Sequence, residues 1–278
     1  MAMERTVMSA GNIMRLLCAL SVFVYCADNS AARTLQQIRN SGELRVAVAL
    51  ASPWTMRDRD GEFLGYEIDI ARALAADLGT QVRFVVYAND ELATAVEIGE
   101  ADIIIAALPI TAERALQVNF SAPHTSGGLT LATHLESTRT VESLADLDDP
   151  AYSLAVVAGS GAIELARRLL PRIEVHEYDT PAEAAEALVA GDVDAYLEEE
   201  PVPNFLALEN AGRIDVPIAR PLLERRAGFA IARGDPDFLS FLNAWIVARE
   251  DDTWLPTTYR YWFRSLRWRE RLGNVPDF

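Results

Sequence analysis

An alternation of short apolar runs with amphipathic segments constrains this chain more than any other feature. Leu44 to Leu50 reads as a strand, and residues 66 to 78 place Ile70, Leu74 and Leu78 four apart, the spacing of one helical face. Gly79 ends that helix. Val82 to Tyr87 reads as a second strand and Asn89 or Asp90 as the cap of a helix to about residue 98. Asp102 to Leu108 is a continuous apolar run of the kind buried on both faces of a parallel sheet. After a polar stretch, Glu136 to Pro150, the pattern repeats. Strands are expected near 152–157, 173–177, 193–197 and 214–219, with helices near 160–170, 181–190 and 201–210. Phe229 to Ala232 supplies a further strand before long helical patterns that begin at Asp235-Pro236. This order implies two α/β units, and a chain of 278 residues is long enough for both.

Charge and residue usage exclude several function classes. With 41 acids against 25 bases the net charge is -16, which repels phosphate backbones, so nucleic acid is not an expected partner. Every basic residue is Arg; without Lys there is no phosphate-loop Lys, Schiff base or pyridoxal attachment. No cofactor is expected. Cys18 and Cys26 are the two cysteines, and both lie in or beside an N-terminal apolar segment. His124, His134 and His176 are scattered without paired ligand spacing, so no metal site is expected either.

The N-terminus reads as an export signal. Arg5 and Arg15 precede the apolar run Leu16 to Tyr25, which is shorter than the roughly 20 residues of a membrane span. Ser30-Ala31-Ala32 supplies a small-x-small cleavage site, so residues 1–32 are expected to be removed and the mature protein to be periplasmic. Lipid attachment at Cys26 is the alternative, disfavoured by the bulky Tyr25 before it.

The segment Gly65-Tyr66-Glu67-Ile68-Asp69-Ile70-Ala71-Arg72-Ala73-Leu74-Ala75-Ala76-Asp77-Leu78 resembles the signature of the family 3 bacterial extracellular solute-binding proteins, receptors of amino-acid ABC importers. Around it stand Gly42-Glu43-Leu44-Arg45-Val46, Gly99-Glu100-Ala101-Asp102, Ile110-Thr111-Ala112-Glu113-Arg114, Phe120-Ser121-Ala122-Pro123, Gly159-Ser160-Gly161 and Gly191-Asp192-Val193-Asp194-Ala195. The resemblance covers roughly residues 42 to 250. It implies an α/β, two-lobed periplasmic-binding-protein-like fold of type II, its lobes joined by two hinge strands and closing on a ligand. Lobe one would comprise 43–133 and, on the chain's return, 228–278 with its C-terminal helices; lobe two would comprise 134–227. The partners implied are a small carboxylate or amino-acid ligand and an ABC permease, with the receptor acting as a monomer.

The same resemblance nominates site residues. Arg114 stands where the family binds the ligand carboxylate, a role suited to the planar guanidinium fork, and Thr111 lies beside it. Gly159, Ser160 and Gly161 open a helix whose N-terminus favours an anion; Ser160 also reads as a plain cap. Glu199 stands where the family receives the ligand's ammonium group, although Glu198-Glu199-Glu200 reads equally as a solvated helix start. Trp54 matches an aromatic cleft position. His124 replaces the family's Tyr after Pro123, Pro109 replaces a Ser or Thr before Ile110, and Ala51 stands where many members place an aromatic lid. These departures point to an anionic or carboxylate ligand of altered geometry. The stretch Trp254 to Arg271, rich in aromatics and Arg, reads as helix covering lobe one, with a membrane or partner helix as the alternative. Two other functions share the framework: an exported dehydratase of the cyclohexadienyl or arogenate type, and an accessory or sensor binding protein.

Overall fold

The structure, a computed structural model, describes residues 32–218 and 220–272; apart from Ala32, the expected signal peptide with Cys18 and Cys26 lies outside them. The elements in chain order are α1 (Leu35–Ser41), β1 (Glu43–Val48), β2 (Met56–Arg57), β3 (Phe63–Leu64), α2 (Tyr66–Leu78), β4 (Gln81–Val86), α3 (Leu92–Glu97) and β5 (Ile103–Ile104). A 3-10 turn (Arg114–Leu116) then leads into β6 (Asn119–His134), α4 (Leu144–Leu147), β7 (Ser153–Val157), α5 (Gly161–Leu169), β8 (Glu174–Tyr178), α6 (Pro181–Ala190) and β9 (Ala195–Glu199). The chain continues through α7 (Val202–Glu209), β10 (Ile214–Asp215), β11 (Leu223–Ile231), α8 (Pro236–Asp251), α9 (Trp254–Phe263) and a 3-10 segment (Arg267–Leu272).

Two long strands run through both lobes. The sheet order is β4-β1-β5-β11-β6-β9-β7-β8, with β10 paired to β6. On one side β1 pairs in parallel with β4 and β5, and on the other β7 pairs in parallel with β8 and β9. Between them β6 and β11 run antiparallel, in register from Leu129 opposite Leu223 to Asn119 opposite Ile231. Phe229 and Ile231 belong to the core of the first lobe, with Val46, Ile68 and Leu74, whereas Leu129 and Leu131 belong to that of the second, with Leu154 and Leu197. The change of core along β6 thus falls between Phe120 and Leu129, earlier than the expected division at 133/134. A strand of sixteen residues reaches from one core into the other.

Several elements depart from the sequence pattern. The run 102–108 is strand only at Ile103–Ile104, although Ile105 and Leu108 are buried, because the chain turns at Ala107, whose φ is 48°. The strand expected at 229–232 begins at Leu223, extended by its pairing with β6. The strand expected over 214–219 holds only at Ile214–Asp215. Helix α3 begins after Glu91, which makes no side-chain cap, and not from Asn89 or Asp90. Gly128 lies in the crossing, at φ 148°, where an added Cβ would sit 1.8 Å from the Leu223 carbonyl oxygen; only Gly permits that approach.

The C-terminal aromatics and arginines are structural. Trp245 and Arg249 of α8 donate to Asp77 at the end of α2, and Trp262 of α9 donates to Asp69 at 2.8 Å. Arg271 lies over Trp262 at 5.2 Å, and Arg269 lies over Trp268 at 5.7 Å. These contacts match a helix covering lobe one. They also extend beyond it, because Arg269 pairs with Glu209 of α7 at 2.5 Å and Arg264 donates to Asn204.

Asp102 ties the N-terminal segment to the sheet. Its side chain is fully buried and accepts from Arg33, from the Arg45 guanidinium and from the Arg45 backbone N–H. Burial pushes its carboxyl up, but the hydrogen bonds from Arg33 and Arg45 outweigh this and hold it below the usual carboxylate range. A depressed folded pKa contributes stability that is complete above the unfolded value of about 3.9 and is lost as pH falls through the folded value. Asp102→Asn should therefore cost about 3 kcal/mol at neutral pH. Urea unfolding across the acid range should also show a shallower loss of stability in the variant than in wild type.

Candidate functional site

The site begins at the N-terminus of α2. Gly65 precedes the helix at φ 137°, and an added Cβ would lie 2.3 Å from the Trp54 carbonyl oxygen, so the loop carrying Trp54 can sit directly on the helix end. The first-turn N–H groups of Tyr66 and Glu67 donate to the carbonyls of Pro53 and Trp54 at 3.1 and 3.0 Å. The indole packs against Tyr66 and Phe263, with ring centroids 5.8 and 4.3 Å away. Its Cζ2 atom lies 3.8 Å from where a Cβ on Gly127 would be. Burial, followed by the nearby Glu67 charge, pushes the Tyr66 hydroxyl far up.

Glu67 then positions the loop that leads to Arg114. Its buried carboxylate accepts from His124 Nε2 at 3.0 Å and from the Ala107 N–H at 3.1 Å. Ala107 holds the left-handed backbone conformation, so this bond pins a conformation that non-glycine residues seldom adopt. Beyond it, Pro109 bridges to Ala227 of β11 and the Ile110 N–H donates to the Arg226 carbonyl at 2.9 Å. Thr111 Oγ1 accepts from the Arg114 N–H at 3.2 Å, and the Arg114 guanidinium donates to the Pro109 carbonyl at 3.2 Å. The loop is thereby fastened to β11, with Arg114 at its end.

From the second lobe, Glu199 at the end of β9 accepts from Arg225 of β11 at 2.5 Å. The same guanidinium lies 3.9 Å from the position of a Cβ on Gly161, the first residue of α5. Ser160 occupies the N-cap of α5 without making a cap bond, and its buried hydroxyl has no partner among the described residues. The helix-cap reading of Ser160 is thus corrected. Glu199 lies on a strand, which corrects the helix-start reading of that segment.

Gly127 and Arg225 are register partners, so Trp54 and Arg225 share one face of the crossing strands. Ala227, which anchors the Arg114 loop, lies two residues on and therefore on the same face. Trp54, Gly161, Glu199 and Arg225 thus border one stretch of the crossing strands, with Gly159 and Ser160 just before Gly161 in the chain, while the loop of Thr111 and Arg114 is fastened through Pro109 and Ile110 to the edge of β11. His124 is not among them. Its ring is enclosed between Glu67 and Phe229, stacked 4.2 Å from the latter. It shares with Tyr66, Tyr259 and Arg264 the wall of a groove of about 550 Å³. Sequence reasoning missed Arg225 and Glu67. The pair Arg225-Arg226 just before Gly228 was a signal, obscured because the strand was read only from Phe229.

Glu67→Ala would strand two donors, the buried His124 Nε2 and the part-buried Ala107 N–H, at a cost of about 1–3 kcal/mol for the first and less for the second. Glu67→Gln keeps an acceptor oxygen and should restore most of that loss. Urea denaturation of both variants measures the difference, with the larger fall in stability expected for Ala.

Comparison with known proteins agrees with this architecture. The sequence profile of the bacterial extracellular solute-binding proteins, family 3, matches residues 44–265. The probable amino-acid ABC transporter periplasmic-binding protein y4tE of Sinorhizobium fredii is 28% identical over 191 residues, 67% of this chain and 63% of that protein, so the match spans less than two thirds of its length. Among solved structures, an ancestral cationic amino acid solute-binding protein is 30% identical with a TM-score of 0.70, over 82% of this chain and 99% of that one. An ancestral cyclohexadienyl dehydratase is 26% identical with a TM-score of 0.67, over 84% of this chain and 98% of that one. Two α/β lobes joined by a pair of crossing strands, with the profile matched along nearly all of them, make this chain a member of the bacterial extracellular solute-binding proteins, family 3.

Proposed function

We propose that the protein captures a small carboxylate-bearing solute, an amino acid or a relative of one, between its lobes and delivers it to an ABC permease in the periplasm. The observation that carries this reading is the convergence of groups from both lobes on one face of β6 and β11. Trp54 comes from the first lobe, Glu199 and the start of α5 from the second, and Arg225 from the crossing itself; the Arg114 loop is fastened to the edge of β11 at Ala227. A solute bridging these groups would favour the closed arrangement by its differential contacts. In this reading Arg114 holds the carboxylate with Thr111 fixing its backbone, Trp54 packs on the solute, and Gly159 to Gly161 with Glu199 engage its polar end. His124 acts only through Glu67.

The likeness to an ancestral cyclohexadienyl dehydratase favours a second reading, as an enzyme. That chemistry needs an acid placed to protonate a leaving hydroxyl. Glu199 is held by Arg225, Glu198 accepts from the Tyr196 hydroxyl at 3.0 Å, and His124 is enclosed against Glu67. With all three engaged, the geometry supports binding better. Incubation with prephenate and arogenate should yield no dehydrated product; product formation would reverse the order of the two readings.

The binding reading is tested on Arg114. Amino acids and small carboxylic acids are first screened for a rise in melting temperature, and the best binder is then titrated calorimetrically into wild type and Arg114→Ala. Losing one partner of a hydrogen-bonded, desolvated charge pair costs about 3 kcal/mol, and at about 1.4 kcal/mol per tenfold affinity should fall by about two orders of magnitude. Arg114→Lys should recover only part, since an ammonium lacks the fork. Binding within a few-fold of wild type in folded Arg114→Ala would overturn the carboxylate site.

A further inference from the structure

We propose that the C-terminal segment Arg264 to Leu272 is a latch: it reaches from the first lobe to α7 of the second and holds the cleft open, so that closing has to strain or release it. This deepens the solute-binding reading and rests on its closing motion, though not on which solute binds. Helix α7 is shared between the two cores. Val202 and Leu206 pack against Ala132, Ala155 and Tyr196 of the second lobe, whereas Phe205 packs against the cluster that holds Val46, Ile68 and Trp268. The helix starts beside the crossing, where the Glu200 N–H donates to the Gly128 carbonyl at 2.8 Å. It ends shortly before Ile214, which pairs with His134 at the far end of β6. Glu209, its last residue, therefore lies well along the second lobe.

Contacts along the whole helix fasten it to the C-terminal segment. Near the crossing Arg264 donates to Asn204 and, at 3.4 Å, to the buried Glu200. Midway, the rings of Phe205 and Trp268 lie 5.7 Å apart, and at the far end Arg269 pairs with Glu209 at 2.5 Å. Trp268 is buried 5.8 Å from Trp262, so the segment is rooted in the first core while Glu209 belongs to the second lobe. The part of the segment that reaches Phe205 and Glu209 lies beyond residue 265, where the family profile ends. The arrangement held in this way is an open one, because Thr111, Gly159, Gly161 and Arg225 are all exposed, whereas lobes closed on a solute would cover them. Hinge closure turns one lobe against the other about the crossing strands. Such a turn displaces the Arg264 contacts beside the crossing less than the Arg269–Glu209 pair farther along α7. With 36% and 35% of its side chains exposed, that pair has the modest strength of a surface ion pair, enough to bias the lobes without locking them.

Cross-linking across the cleft, without solute, tests the latch. Cys18 and Cys26 are replaced by Ser, and Leu116→Cys, next to the Arg114 loop, is paired with Arg168→Cys on α5; both positions are exposed. A short bismaleimide joins the two thiols only when the lobes approach, so its rate follows the closed population. Glu209→Arg sets like charges against each other and should raise that rate about fivefold, and Arg269→Gln, which only deletes the pair, should raise it about twofold or more. Glu209→Arg combined with Arg269→Glu restores opposite charges and should bring the rate back toward that of wild type, which a merely structural role for either side chain would not do. Melting temperatures check folding, and a monofunctional maleimide should label each single-cysteine protein equally with and without Glu209→Arg. A rate unchanged or lowered in folded Glu209→Arg and Arg269→Gln, or left high by the charge swap, overturns the latch and leaves the closing motion standing. Absence of cross-linking in every variant overturns the closing motion, and the latch with it.

Discussion

The antiparallel pairing of β6 with β11 is the constraint on which the rest depends. These strands are the central connection between two cores that otherwise draw on separate sets of residues. A crossing of this kind must hold its register, and backbone hydrogen bonds do so without demanding side-chain packing. Gly128, with no side chain, lets β6 approach Leu223 more closely than any Cβ would allow. The bulge between Ala227 and Gly228 breaks the ladder near the start of the first core. The same strands form the floor of the candidate site, so register and ligand geometry have one origin.

From that floor, positioning passes outward through local bonds. The end of α2 fixes the carbonyls of Pro53 and Trp54, and so places the indole beside Gly127. One residue further, Glu67 turns inward and pins Ala107, which sets the direction of the loop that ends at Arg114. A single helix terminus thus organises the first lobe's contribution to the cleft, through its backbone donors on one side and a buried carboxylate on the other. His124 belongs to this machinery as the second partner of Glu67 and as a stacking surface for Phe229.

Electrostatics differ sharply between the molecule and its cleft. The whole chain carries a net charge of -16, yet on the converging face an Arg, Arg225, is paired with Glu199. Long-range fields of an acidic protein discourage anions in general. Paired donors at close range in a closing cleft act on a shorter scale and dominate once water leaves. Arg269 and Arg271 follow a different logic, lying over Trp268 and Trp262 and, for Arg269, reaching Glu209, where they cement helices.

By itself the sequence determined the order and type of most elements. The spacing of Ile70, Leu74 and Leu78 marks α2, whose end at Gly79 is set by a left-handed cap, and Thr180-Pro181 with Gly191 bounds α6 in the same way, because caps and periodicity are local. The motif around Arg114, the Gly159-Ser160-Gly161 turn and Glu199 are likewise local features, nominated from the sequence by resemblance. Tertiary structure alone decided that 102–108 would turn after Ile105, that β6 would run sixteen residues through Pro123, Gly127 and Gly128, and that His124 would face Glu67. It alone joined Arg225 to Glu199, residues 26 apart in sequence, across β6, which lies between their strands in the sheet. Local propensity is silent on such pairings, since they depend on which strands meet and in what register, and that is settled only when distant segments bury their apolar faces together.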